Sequence, residues 1–202
     1  MAKKEAYHFV DPYLVNPNHP ITVNLIGCGG TGSQFLSALA KIHVSLRAIG
    51  HAGLMVYAWD GDKVEESNIG RQAFAMADIG TNKAIVAITR INRYFGLDWI
   101  AVPEMITEKT EPNRLLQNIT VTCVDTGAAR VLIGSKIKQK TMQFHNRRGN
   151  KVAIYWLDFG NSKTSGQVIL GSWQEIKQPT GRKYRKVKKL KTILDLHPDL
   201  AD

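Results

Sequence analysis

Ile21-Thr22-Val23-Asn24-Leu25-Ile26-Gly27-Cys28-Gly29-Gly30-Thr31-Gly32 decides the fold. The apolar run 21–26 reads as a buried strand, and the residues from Ser33 to Ile49 carry Phe35, Leu36, Leu39, Ile42, Leu46 and Ile49 at helical spacing. Between them lies a glycine loop. Glycines at its first, third and sixth positions (Gly27, Gly29, Gly32) supply a tight turn, close backbone approach to a phosphate, and close helix-to-strand packing. The open amides of the helix N-terminus then face an anion. Gly27, Gly29, Gly30, Thr31 and Gly32 are therefore candidate nucleotide contacts, although a plain strand-to-helix turn also uses glycine.

Outward from this loop the pattern alternates. Leu54–Trp59 reads as a second strand and Gly80–Tyr94 as a helix with Ile85, Ile88 and Ile91 on one side. Strands are expected at Trp99–Val102, Ile119–Val124 and Val152–Leu157, with a helix over Ala128–Gln143 and a weaker strand at Gly166–Leu170. Such alternation predicts an α/β, Rossmann-like fold: a mostly parallel sheet with helices on both faces and a ligand at the carboxyl ends of its strands. The expected organisation is an N-terminal extension (1–20), a nucleotide-binding domain (21–175) and a basic loop or tail (176–202). Gln178–Lys191 reads as solvated, and the chain stops at His197–Asp202 without completing an obvious element, as a truncated piece or one with an unstructured tail would.

At 202 residues the chain can bury one good-sized core. No apolar run spans a bilayer and no signal-peptide core follows Met1-Ala2-Lys3-Lys4-Glu5, so the expectation is a cytoplasmic protein that does not engage membranes. Two cysteines, Cys28 and Cys123, give neither a disulfide framework nor a zinc site. They read as filler in the loop and as core, and the six histidines show no metal-ligand spacing. Of the net charge of +10, seven positive charges fall in Arg182–Lys191, which leaves +3 on the rest.

The chemistry is selected beyond the second strand. Asp60 and Asp62 stand where a carboxylate accepts hydrogen bonds from ribose hydroxyls, which suits NAD as well as ATP. Ser67-Asn68-Ile69-Gly70-Arg71-Gln72, Lys83 and Asp125 add amides, two cations and a further carboxylate. That set suits a triphosphate with Mg²⁺, since Arg and Lys neutralise phosphate oxygens and a carboxylate holds the hard metal. Met105 and Ile106 are candidates for an adenine wall or for plain core. Arg130 reads as a partner of Asp125, a nucleotide contact, or a surface residue.

At these residues the chain resembles the ThiF/MoeB/ubiquitin-activating superfamily, whose adenylation domains carry GxGGxG, D-x-D, S-N-x-x-R-Q, a lysine and an aspartate in this order. Here they are Gly27–Gly32, Asp60 with Asp62, Ser67–Gln72, Lys83 and Asp125, within residues 21–135. Asn68–Gln72 and Ala77–Lys83 look most like the ThiF-family member of the PRTRC systems. The resemblance implies ATP-dependent adenylation of the C-terminal carboxylate of a ubiquitin-like protein, with a conjugating-enzyme-like partner and a homodimer among the expected associations. In that scheme Asp60 holds the ribose, the loop amides and Arg71 hold phosphates, Asn68 and Gln72 orient them, Lys83 compensates transition-state charge and Asp125 positions Mg²⁺.

Two departures stand out. Residues 5–20 contain no arginine to reach across a dimer, and no cysteine lies where relatives form a thioester or transfer sulfur. The basic tract matches the region of the family's mobile crossover loop and could steer an acidic ubiquitin-like partner; binding of nucleic acid through residues 182–191 stays open. The competing readings are an NAD(P)-dependent oxidoreductase, which leaves Arg71, Lys83 and Asp125 unexplained, and a non-catalytic nucleotide- or DNA-associated adaptor.

Overall fold

The chain lays its strands in the order that creates a crevice. In the computed structural model, which describes residues 5–144, 153–161, 164–181 and 184–201, the elements are β1 (Ala6–Tyr7), α1 (Pro12–Val15), β2 (Ile21–Ile26), α2 (Gly30–Ala48), β3 (Leu54–Trp59), α3 (Lys83–Phe95), β4 (Ile100–Val102), β5 (Ile119–Thr122), α4 (Gly127–Phe144), β6 (Tyr155–Asn161), β7 (Gly166–Ser172), β8 (Arg185–Lys186) and α5 (Ile193–Leu196). Met1–Lys4, His145, Val152, Arg182, Lys183 and Asp202 lie outside the described residues.

The main sheet runs β4-β3-β2-β5-β6-β7, parallel throughout except for the antiparallel β7. From β2 the chain builds outward to β3 and β4, then returns to place β5 and β6 on the other flank of β2. The strand order therefore reverses between β2 and β5, and their carboxyl ends border a crevice.

Alternation along the strands gives two layers. Val23 and Leu25 of β2, Val56 and Ala58 of β3 and Val121 of β5 pack with Leu36 and Leu39 of α2 and Ala84, Ala87, Ile88 and Ile91 of α3. Ile26 and Trp59 point the other way, with Leu115, Ile133 and Ile137 of the α4 side. Asn24, fully buried on that second face, donates to the Leu115 carbonyl at 3.0 Å and accepts from Trp59 Nε1 at 2.9 Å, so its burial leaves neither end unsatisfied. On the first face an apolar cleft of about 460 Å³ remains between α2 and the β5–β7 flank. No helix among the described residues is long and apolar enough to cross a membrane.

Three expectations change. The strand expected from Val152 begins at Tyr155 and runs to Asn161, because Ala153 has a positive φ of 62° and the chain is not yet extended there. The stretch expected as solvated loop is tied down instead: β8 pairs in parallel with β1, and Val187 N donates to the Tyr7 carbonyl at 2.8 Å. Past His197 the chain forms a short 3-10 turn (Pro198–Ala201) whose Leu200 packs on Gly127 at the start of α4.

Candidate nucleotide site

A cavity of about 640 Å³ opens at the carboxyl ends of the parallel strands, the size of a small-molecule site. It is lined by Gly27, Gly29, Gly30, Thr31, Asp60, Asp62, Arg71, Gln72, Lys83 and Asp125, all expected from sequence.

The glycine loop forms its floor. Gly27 has φ +95°, and a Cβ on Gly32 would lie 1.8 Å from the Gly27 carbonyl oxygen, so both positions demand glycine for the turn itself. Gly29 differs: the nearest atom to its Cβ position is Gln72 Oε1 at 3.9 Å. The protein would tolerate a side chain there, and its absence leaves a cradle for a ligand. Gly29 also caps α2 with no side-chain hydrogen bond, leaving the first-turn amides open to an anion. Helix α3 lacks this opening, because Asn82 Oδ1 accepts from Ile85 N at 3.1 Å. Gln72 Oε1 is buried without a hydrogen-bond partner. A ligand hydroxyl would satisfy it, as would a phosphate oxygen with the amide reversed.

Asp60 ties loop to strand. Its carboxylate accepts from Cys28 N at 2.7 Å and Asp62 N at 2.8 Å. Burial pushes its pKa up, and those two amides pull back against that shift. The 60–62 turn is pinned to α3 by Asn82 Nδ2, which donates to the carbonyls of Asp60 (2.7 Å) and Asp62 (3.0 Å). Lys83, the first residue of α3, is 9% exposed and places Nζ 3.1 Å from Asp62 Oδ2. Arg71 donates through Nε to the Ser67 carbonyl at 3.0 Å, which aims its guanidinium along the wall. Asp125 is exposed at the mouth beyond β5.

Asn68 is corrected by the structure. It is 4% exposed and does not line the cavity; Oδ1 accepts from Glu65 N at 3.0 Å and closes the turn that carries Arg71 and Gln72. Its contribution is to shape that turn. Gly32 likewise acts through packing. Met105 and Ile106 line the cavity, and Met105 is exposed rather than core.

Arg130 meets neither Asp125 nor open solvent. Its Nε bonds both carboxylate oxygens of Asp158, at 2.9 and 3.1 Å, with the side chains only 8% and 1% exposed. Nη1 donates to the Thr126 carbonyl (3.1 Å) and Nη2 to that of Phe159 (3.0 Å). The guanidinium thus holds together the loop bearing Asp125 and the end of β6 leading to Asn161, another lining residue. Asp158 also accepts from Thr122 Oγ1 at 2.5 Å. Sequence reading missed Asp158, Asn161 and Trp59, of which the tryptophan signals itself only as core.

Neither thiol is poised for attack. Burial pushes Cys123 up to about 12 and Cys28 higher, the nearby Asp60 carboxylate adding to the latter. Among the described residues no three His, Cys, Asp or Glu side chains are placed to hold a metal. The residues fit Mg²⁺ held the way it is held with nucleotides, through one carboxylate, here Asp125, and the ligand's phosphates.

The ThiF family profile matches residues 19–187. No curated protein matches the sequence. Among solved structures, E. coli tRNA N6-threonylcarbamoyladenosine dehydratase, TcdA, in complex with ATP shows 19% identity and a TM-score of 0.48, over 60% of this chain and 48% of that one. PaaA shows 23% identity and a TM-score of 0.47, over 71% of this chain and 38% of its own. The chain thus spans about half the length of TcdA and less of PaaA.

Proposed function

This chain belongs to the ThiF family, and on that premise we propose that it is an ATP-dependent adenylating enzyme acting on the C-terminal carboxylate of a ubiquitin-like protein, in the manner of the PRTRC-type members. One observation carries the reading: a single cavity gathers the uncapped α2 N-terminus, Asp60, Arg71, Lys83 and Asp125. The NAD(P)-dependent alternative uses the first two and leaves two cations and an exposed carboxylate without work.

In this reading the α2 amides and Arg71 hold the phosphates, and Asp60 accepts from the ribose with the lone pairs its backbone bonds leave free. Gln72 fixes the phosphate orientation from beside Gly29. The substrate carboxylate oxygen attacks the α-phosphorus and the bond to the bridging oxygen breaks; a mixed anhydride forms and pyrophosphate leaves. Positioning and charge compensation supply most of the acceleration, so no general base is needed. Lys83 meets the charge developing on the leaving oxygens. Asp125 would hold magnesium, which would supply charge neutralisation at the phosphates. With both thiols held protonated, transfer to a cysteine of this sequence is not part of the scheme. A conjugating-enzyme-like partner and a second copy of the chain remain the expected associates.

The test is ATP–pyrophosphate exchange in the presence of a ubiquitin-like protein ending in a free carboxylate. Exchange that needs that carboxylate and magnesium supports the reading. Exchange-free NADH binding at the same cavity overturns it.

A further inference from the structure

The described part of the basic tract, residues 184–191, sits at the end of the sheet away from the cavity. β6 runs from Tyr155 to Asn161, and Asn161 lines the cavity, while His8, bonded through Nε2 to Tyr155 Oη at 2.8 Å, belongs to the segment that pairs with the basic tract. The two ends are roughly 20 Å apart at the rise of a strand. Residues 184–191 therefore lie away from the nucleotide cavity, which argues against their serving as the crossover loop whose region they match.

Three extended segments lie side by side there. β8 pairs with β1, Ile176 N donates to the Lys188 carbonyl at 2.8 Å, and Phe9 N donates to Gln178 Oε1 at 2.8 Å. From this ribbon Lys177, Arg185, Lys188, Lys189 and Lys191 are exposed, with Lys138 of α4 close enough to act on Asp195. The acids that pair with these cations are loosely engaged, Glu175 4.0 Å from Lys188 and Asp195 3.8 Å from Lys189, all well exposed, while Glu5 accepts from Tyr7 Oη at 2.5 Å. Aromatic rings share the ribbon with the cations. Tyr7 and Phe9 are each 39% exposed, and the Tyr7 ring lies 4.4 Å from that of Tyr184.

We propose that this ribbon is a docking strip for single-stranded nucleic acid. Cations strung along an extended backbone beside exposed aromatic rings match a polyanion whose bases stack. An acidic protein partner is the competing occupant, and competition with polyglutamate separates it from nucleic acid. The strip leaves the cavity free, so nucleic acid and nucleotide can be held together.

Fluorescence anisotropy of the full chain with labelled 20-residue oligothymidylate and oligouridylate, from 50 to 300 mM salt, tests this. Binding of either is expected, with a log–log salt slope near −3, about 0.7 per neutralised phosphate for roughly four cations. Replacing Arg185, Lys188, Lys189 and Lys191 together by serine should weaken binding at least tenfold and flatten the slope, with melting temperature and ATP–magnesium affinity unchanged. Tyr7→Ala should weaken binding severalfold at an unchanged slope, because stacking is lost and no charge is. No binding of either oligonucleotide at 50 mM salt overturns the proposal. So does a slope near zero in the unmodified chain, or displacement by polyglutamate as effective as displacement by the unlabelled oligonucleotide.

Discussion

At the residue scale, the chemistry depends on what each side chain is free to do. Among the described residues Lys83 pairs with Asp62, whose side chain is 56% exposed, and such a pair adds little to stability. Lys83→Met should therefore fold normally while slowing pyrophosphate exchange by about 10²–10³, the loss typical of one preorganised charge; an unchanged rate would remove Lys83 from the reaction. Arg130 is the opposite case. Arg130→Met strands the buried Asp158 charge and should cost about 3–5 kcal/mol in urea unfolding, much of it recovered by adding Asp158→Asn. A cost under about 1 kcal/mol would show that the clamp is unimportant. With the Cys123 thiol near 12 and that of Cys28 pushed higher, both should react with iodoacetamide at pH 8 more than about a hundredfold slower in the native protein than in urea. That Asp60, Arg71, Lys83 and Asp125 line one cavity was legible because their motifs stand in a recognisable order. Asp158 was not, since its partners come from β5 and α4, and Asn68 was misread because a motif names a residue without giving the direction of its side chain.

At the scale of elements, local pattern served where the element is long and buried. β2, β3 and α2 fall within a few residues of expectation, since continuous apolar runs and helical spacing are intrinsic to the segment. The helix expected from Gly80 starts at Lys83, because Asn82 caps it and the preceding residues are spent on the turn beside Asp62. β8 was invisible: two residues of a charged tract carry no period, and their partner strand stands at the other end of the chain. That pairing predicts a graded hydrogen-exchange response. Removing residues 1–10 should abolish protection of the Val187 amide, which bonds Tyr7, and spare the Leu190 amide, which bonds Ser172 Oγ at 3.0 Å. Loss of both would mean that the ribbon forms as one unit with the N-terminal segment.

At the scale of the whole molecule, the sheet separates the cavity from the basic ribbon in space. Strand reversal between β2 and β5 puts the glycine loop, two cations and Asp125 at one end, and the basic ribbon takes the other. The segments expected as extension and tail meet the sheet's own elements: β1 pairs with β8, His8 bonds Tyr155 at the start of β6, and Leu200 packs on Gly127 at the start of α4. The central claim is that the cavity binds ATP with magnesium through Asp125. Calorimetric titration of the chain and of Asp125→Ala with ATP plus Mg²⁺, and separately with NADH, tests it most directly. The account predicts magnesium-dependent ATP binding that is lost in the variant, whose melting temperature without ligand stays that of the original chain because Asp125 is exposed. Equal ATP binding by both proteins, or binding of NADH in place of ATP, would contradict it.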